Sequence, residues 1–181
     1  MRNIFCAAGG AIVTALFLAF SSDAAAETNN IPNRLIDYQG FLTNAAKVAV
    51  LRNEHRLTED QFIEMAKEAD TIVYDARSDD KYGRLHIKGA RHLSFPEITE
   101  AELAKVFPSK ATRILIYCNN NFLNSPVAFA AKASSASLNI HTFNTLASYG
   151  YTNVYELGPL IDIKKSKLAF EGTLVTSQQS K

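Results

Sequence analysis

The run Arg113-Ile-Leu-Ile-Tyr117 constrains this chain more than any other stretch. Four consecutive apolar residues, Ile114 to Tyr117, mostly β-branched or aromatic, predict a strand buried on both faces. Such a strand belongs in the middle of a parallel sheet. The run stops at Cys118, and Asn119, Asn120 and Asn121 follow. Ser125 before Pro126 has the form of an N-cap and first-turn pair and predicts a new helix there. A thiol at the carboxyl end of a central strand occupies the usual ligand position of an open α/β sheet. Loop N–H groups and the positive end of a helix would favour a thiolate at that point. The same residues also fit a buried structural cysteine followed by an asparagine-rich turn, and alone they do not separate the two readings.

Three further segments read as strands: Thr71–Asp75, Arg91–Phe95 stopped by Pro96, and Thr152–Leu157. Helical patterns alternate with them. From Asp37, residues Phe41, Leu42, Ala45, Val48 and Ala49 recur at helical spacing up to about Arg52, and Leu57 lies in a short extended link. Thr58 to Gln61 has the form of a capping box, ahead of a stripe made by Phe62, Met65, Ala66 and Ala69. Thr99 and Glu102 repeat that form ahead of Leu103, Val106 and Phe107, and Pro108 closes the helix. Phe143, Leu146 and Ala147 predict a last helix ending at Gly150 in a left-handed cap. The alternation predicts an α/β domain, a parallel sheet with helices on both faces. At 181 residues, 47% of them hydrophobic, one domain with an ordinary core is expected.

Residues 1–26 are a different kind of sequence. Arg2 precedes an apolar run from Ile4 to Phe20, and Ser21 to Ala26 supplies small residues before a cleavage point after Ala26. This predicts a secretory signal peptide and a periplasmic or secreted protein with no stable membrane association after cleavage. An uncleaved anchor is the competing reading. Cys6 would leave with the peptide, so the mature chain would carry one cysteine, Cys118. A lone thiol in an oxidising compartment is either buried and inert or kept for chemistry. Residues 27–33 read as a polar tether, 34–56 as a helical extension, 57–160 as the main domain and 161–181 as a C-terminal strap with a frayed end from Ser177.

A formal net charge of +1 with mixed signs gives no basic stripe, so nucleic acid is not an expected partner. His55 and His92 lack metal-ligand spacing and nothing cradles nucleotide phosphates, so neither metal nor cofactor is expected. Oligomeric state is not legible.

Four pieces in order, Val73-Tyr-Asp75-Ala-Arg77, Tyr82 with His86-Ile-Lys-Gly89-Ala90, Ile116-Tyr-Cys118, and Gly150-Tyr-Thr-Asn-Val154-Tyr-Glu-Leu157-Gly158, resemble the rhodanese-like domain over roughly Leu57 to Leu160. The resemblance implies a five-stranded parallel sheet with helices on both faces, here with an extra N-terminal helix. It also implies that Cys118 accepts a sulfane sulfur as a persulfide. The chain is further similar to exported rhodanese-like proteins that carry an asparagine run after the cysteine and a helix around Leu35 to Tyr38. On this reading Cys118 is the nucleophile, Asn119, Asn120, Asn121, Phe122, Leu123 and Asn124 surround the substrate, and their amides ring the sulfur. Asp75, Arg77 and His86 match positions that support the fold. The partners implied are a small sulfane-sulfur donor and a thiol acceptor.

The departures matter as well. Active sulfurtransferases of this type carry an arginine about five residues after the cysteine, where this chain has Leu123. Phosphatases of the fold need one six residues on, where Asn124 stands. Phosphatase activity is therefore not expected. Ser125 to Ser137 reads as an insertion beside the site, with Lys132 and His141 as candidates for the missing positive charge. Pro159 replaces a second glycine after Gly158, and Leu85 and Lys88 replace the usual glycine and proline around His86. Two functions stand: an exported sulfurtransferase or persulfide carrier, and a catalytically inactive rhodanese-fold binding module.

Overall fold

A computed structural model describes residues 31–175. The expected signal peptide, its cleavage point and the frayed end from Ser177 lie outside the described residues. The chain divides into two units, Met1–Leu35 and Ile36–Lys181. Within the first, the Leu35 N–H bonds the Asn33 side chain; everything below concerns the second.

Five strands form one parallel sheet. They are β1 (Arg56–Leu57), β2 (Thr71–Asp75), β4 (Arg91–His92), β5 (Arg113–Tyr117) and β7 (Val154–Leu157), in the order β1-β7-β5-β2-β4. The expected central strand is the central strand. Successive side chains of a strand point to opposite faces, and β5 divides its apolar residues accordingly. Ile114 and Ile116 join Tyr74, Leu103, Phe107, Phe143 and Leu146 in one core. Leu115 and Tyr117 join Phe62, Ile87, Phe122, Phe129 and Leu157 in the other. Each of the three fully buried aliphatic side chains of β5 contributes about 1.5–3 kcal/mol by leaving water.

Helices cover both faces: α1 (Tyr38–Glu54), α2 (Glu59–Ala66), α3 (Asp79–Arg84), α4 (Glu100–Val106) and α5 (Leu138–Ser148). The expected caps are in place. Asp37 accepts from the Gly40 N–H, Thr58 and Gln61 form a reciprocal capping box, and Thr99 accepts from the Glu102 N–H. Gly150, at φ +84°, takes the left-handed position after α5 that a side chain would resist.

Several expectations need correcting. Helix α1 does not bury the stripe that was read from its sequence: Val48 is buried, whereas Phe41, Leu42 and Ala49 are exposed. Val48, with Leu51 packed beside it, joins the core that holds Phe143 and Leu146 of α5, and the Asn44 amide donates to the Asn144 carbonyl and to Ser148. Helix α2 stops at Ala66, so Ala69 stays outside the core. The strand expected over Arg91–Phe95 is cut to β4 because Pro96 sits inside a 3-10 turn, Phe95–Glu97. No helix grows from Ser125 and Pro126. One turn forms, closed by Phe129 N–H on Ser125 O, and then stops. Its continuation would need Lys132 N–H on Ala128 O. Instead the Lys132 N–H bonds the Asn120 side chain, Ala128 O accepts from Arg77, and Val127 O accepts from Lys81.

The segment after β7 pairs with the body through two short strands. Strand β8 (Ile161–Asp162) pairs in parallel with β6 (Phe122–Leu123), and β9 (Phe170–Glu171) pairs antiparallel with β3 (His86–Ile87). Glu171 latches the second pair by accepting from the Gly89 N–H, and it faces a His86 ring nitrogen at 3.0 Å. The Gly89 N–H above all, with the His86 ring, holds the Glu171 carboxyl below the usual glutamate range against the opposing effect of burial.

Under the carboxyl end of the sheet lies a buried charged knot. The Arg77 guanidinium is bidentate on Asp75, donates to the carbonyls of Ala128 and Leu85, and stacks 4.2 Å from the Phe129 ring centroid. Tyr117 donates to Asp75 at 2.5 Å and accepts from the Ile87 N–H. Burial, then the Asp75 charge, push the Tyr117 hydroxyl well above its ordinary value, so it keeps its proton as donor. Burial opposes the charge of Arg77, but the Asp75 carboxylate outweighs it and raises Arg77 above the ordinary arginine value.

Asp75→Ala is expected to cost about 3–5 kcal/mol in a urea titration, because it leaves a buried guanidinium unpaired. Tyr117→Phe should cost roughly 1–3 kcal/mol, since the Ile87 N–H loses its acceptor. A depressed carboxyl pKa contributes stability above its unfolded value and loses it as pH falls through the folded value. Protection factors of the β3–β9 amides, which remove the intrinsic slowing of exchange towards acid, should therefore decline as pH drops below the ordinary glutamate range, and Glu171→Gln should remove that acid step.

Candidate functional site

Cys118 follows β5 directly, in extended backbone at φ −149°, ψ −173°. It is a free thiol, and the residue is 1% exposed. The sulfur lies 3.4 Å from the Ser137 hydroxyl. Ser137 is the residue ahead of α5, so the helix that follows the insertion still delivers its positive end to the sulfur. Chain separation is bridged by geometry.

Two of the loop amides expected to ring the sulfur are bonded within the loop itself. Asn119–Asn121 wind into a 3-10 turn, in which the Asn121 N–H bonds Cys118 O and the Phe122 N–H bonds Asn119 O. The chain then enters β6, where Phe122 is buried among Tyr117, Phe129 and Phe170. Side chains do the tethering. Asn121 accepts from the Cys118 N–H and from the Asn139 amide, while its own amide donates to Leu157 O and Pro159 O. Asn120 holds Lys132 by a pair of bonds to its N–H and carbonyl. Leu123, where the arginine of an active loop would stand, is 47% exposed. Asn124 adopts φ +64°, and its side chain, followed by the Lys164 N–H, holds the Asp162 carboxyl below the usual aspartate range.

Two cavities adjoin this turn. One, of about 240 Å³, is lined by Cys118 together with Arg52, Arg56, Ser134, Ser137 and Glu156, among others. The other, of about 440 Å³, is lined by Asn119, Lys132, Lys81, Arg77, Ser94 and Phe95, among others. Lys132 thus lies on the cavity that Cys118 does not line. His141 is on α5, edge-on to Phe95. Two buried amide oxygens, of Asn119 and Asn139, have no partner among the described residues, and they line the larger and the smaller cavity respectively.

The other singled-out residues carry structural bonds. His86 sits against the Tyr82 ring at 3.7 Å and bonds Tyr82 O through Nδ1. His55 bonds Val154 O, and His92 bonds Arg77 O. No group of three or more His, Cys, Asp or Glu among the described residues could hold a metal ion, and no described helix is long and apolar enough to cross a membrane.

The sequence reading passed over Arg52, Arg56 and Glu156. Glu156 is 1% exposed in β7, and both arginines bond it at 2.7–3.0 Å. A signal was present: Glu156 interrupts Val154-Tyr-Glu-Leu157, and a carboxylate among apolar residues in a parallel sheet covered on both faces requires a cationic partner.

In three dimensions the chain is similar to the BH2092 protein of Bacillus halodurans, at 24% identity and a TM-score of 0.48, over 74% of this chain and 88% of that one. It is similar to a thiosulfate sulfurtransferase of Pseudomonas aeruginosa at 18% identity and a TM-score of 0.48, over 72% of this chain and only 23% of that one. It is also similar to the Alr3790 protein of Anabaena, at 19% identity and a TM-score of 0.45, over 68% and 98%. No curated protein matches the sequence. The sequence profile of the rhodanese-like domain matches residues 58–158, more than half of the chain. This protein belongs to the rhodanese-like domain family.

Proposed function

We propose that this protein is an exported sulfurtransferase or persulfide carrier that uses Cys118 as its single nucleophile. The observation that carries the reading is the position of the Cys118 sulfur. It stands at the end of the central strand, beside the first turn of an eleven-residue helix, on a small polar cavity. The thiolate is the nucleophilic form of a cysteine. The thiolate attacks the outer sulfur of a sulfane donor: the donor's S–S bond breaks, its electron pair leaves on the remainder of the donor, and a new S–S bond forms on Cys118. A thiol acceptor then takes that outer sulfur, gives up its proton, and returns Cys118 to the thiolate. No external oxidant is needed. The sulfur is nearly enclosed, and Ser134 in the exposed stretch ahead of α5 lines the same cavity.

Export rests on Arg2, the apolar run from Ile4 to Phe20 and the small residues up to Ala26. The domain boundaries proposed with it are a signal peptide over 1–26, a tether over 27–33, a helical extension over 34–56, the rhodanese-like domain over 57–160 and a strap beyond.

A second reading, a binding module without turnover, is favoured by the near-complete burial of Cys118 and by the way the asparagine side chains close the loop on itself. Intact mass spectrometry of the mature protein after incubation with thiosulfate, inorganic polysulfide and a thiol persulfide separates the two. The transfer reading expects a gain of one sulfur atom that a following thiol removes and that Cys118→Ser never acquires. An unchanged mass with every donor would leave the binding module.

A further inference from the structure

We infer that Arg52 and Arg56 supply the positive charge that the loop after Cys118 lacks, and that the Cys118 cavity therefore selects small anionic sulfur compounds. The donor class rests on the sulfur-transfer reading; the charge selection does not.

The sheet register sets the geometry. Arg56 on β1 is paired with Glu156 on β7, and Glu156 is paired with Ile116 on β5. Cys118 stands two residues beyond Ile116, on the same side of an extended chain. Arg52, in the last turn of α1, reaches the same carboxylate. All three ionisable side chains line the cavity that Cys118 lines.

Two guanidiniums against one carboxylate leave a surplus of positive charge. Glu156 receives the Nε and Nη2 of Arg52 at 2.8 and 2.7 Å and the Nε of Arg56 at 3.0 Å. Arg56 also donates to Gly158 O. In each guanidinium, Nη1 has no partner among the described residues. The carboxylate thus acts as a bracket: it holds both side chains in one geometry, so that less rotamer freedom is lost when an anion arrives.

The cavity, about 240 Å³, is smaller than the roughly 300–1,000 Å³ of drug-sized ligand sites. It suits an inorganic donor such as thiosulfate or a short polysulfide better than a protein persulfide. With thiosulfate, the thiolate takes the outer sulfur and sulfite departs with the electron pair. The leaving dianion is the charge that the arginines stabilise.

The test compares alkylation rates of Cys118 by iodoacetate, an anion, and by iodoacetamide, its neutral counterpart, in the folded full chain. Wild type should favour iodoacetate relative to a small free thiol. Arg52→Gln and Arg56→Gln should each lower the iodoacetate-to-iodoacetamide ratio by roughly fivefold while leaving the iodoacetamide rate within about twofold. Arg56→Lys should restore most of the ratio. Glu156→Gln, which removes the opposing charge, should raise it, a direction that mere loss of structure would not produce. An unchanged ratio in both glutamine variants, or a Cys118 that neither reagent reaches, would overturn the inference. Anion preference without any sulfur gain from thiosulfate would sink the transfer reading alone and leave charge selection standing.

Discussion

The carboxyl end of this sheet is organised by one cross-strand contact, the hydroxyl of Tyr117 on the carboxylate of Asp75. The two residues are register partners on neighbouring parallel strands, so the bond joins the last rungs of β2 and β5. Arg77 completes the arrangement and exports it: through Ala128 O it anchors the insertion, and through Leu85 O it anchors the segment leading to β3. A buried charge held this way is weak evidence of net stability, since desolvation offsets most of the attraction. Its effect is positional. It fixes where two loops depart, and one of those departures is Cys118.

The loop beyond the cysteine shows how a family frame accommodates a different sequence. With no arginine and a long connection to α5, the chain closes a 3-10 turn and continues into a short extra strand against the strap. The asparagine run works through its side chains as much as through its backbone. Asn121 alone satisfies Cys118, Leu157, Pro159 and Asn139. The sulfur therefore keeps a helix end beside it through Ser137, although the residues next in sequence do not provide that helix.

Most of the fold was legible because its signals are local. The apolar run of β5, the capping residues Asp37, Thr58 and Thr99, and Gly150 each report conformation through their immediate neighbours. What failed was decided at a distance. Ser125 and Pro126 form a sound helix start, yet Arg77 and Asn120 take the groups that the second turn would have needed. The stripe of α1 was periodic, but periodicity does not say whether a neighbour covers the face, and Phe41 is left outside. In the candidate site, Cys118 was legible from the strand that ends at it. The Arg52–Glu156–Arg56 cluster was not assembled, because Glu156 lies about a hundred residues from the two arginines. Lys132, chosen for closeness in sequence, belongs to the other cavity.

The row running from Arg56 through Glu156 to Ile116 has one more implication. Groups borne on adjacent strands inherit the stiffness of the ladder between them, whereas a group on a loop drifts with every insertion or deletion there. A chain whose polarity beside the thiol is set by strands can lengthen and rewrite the following connection without disturbing it. Variation in that connection, which here includes the thirteen residues from Ser125 to Ser137, then becomes tolerable.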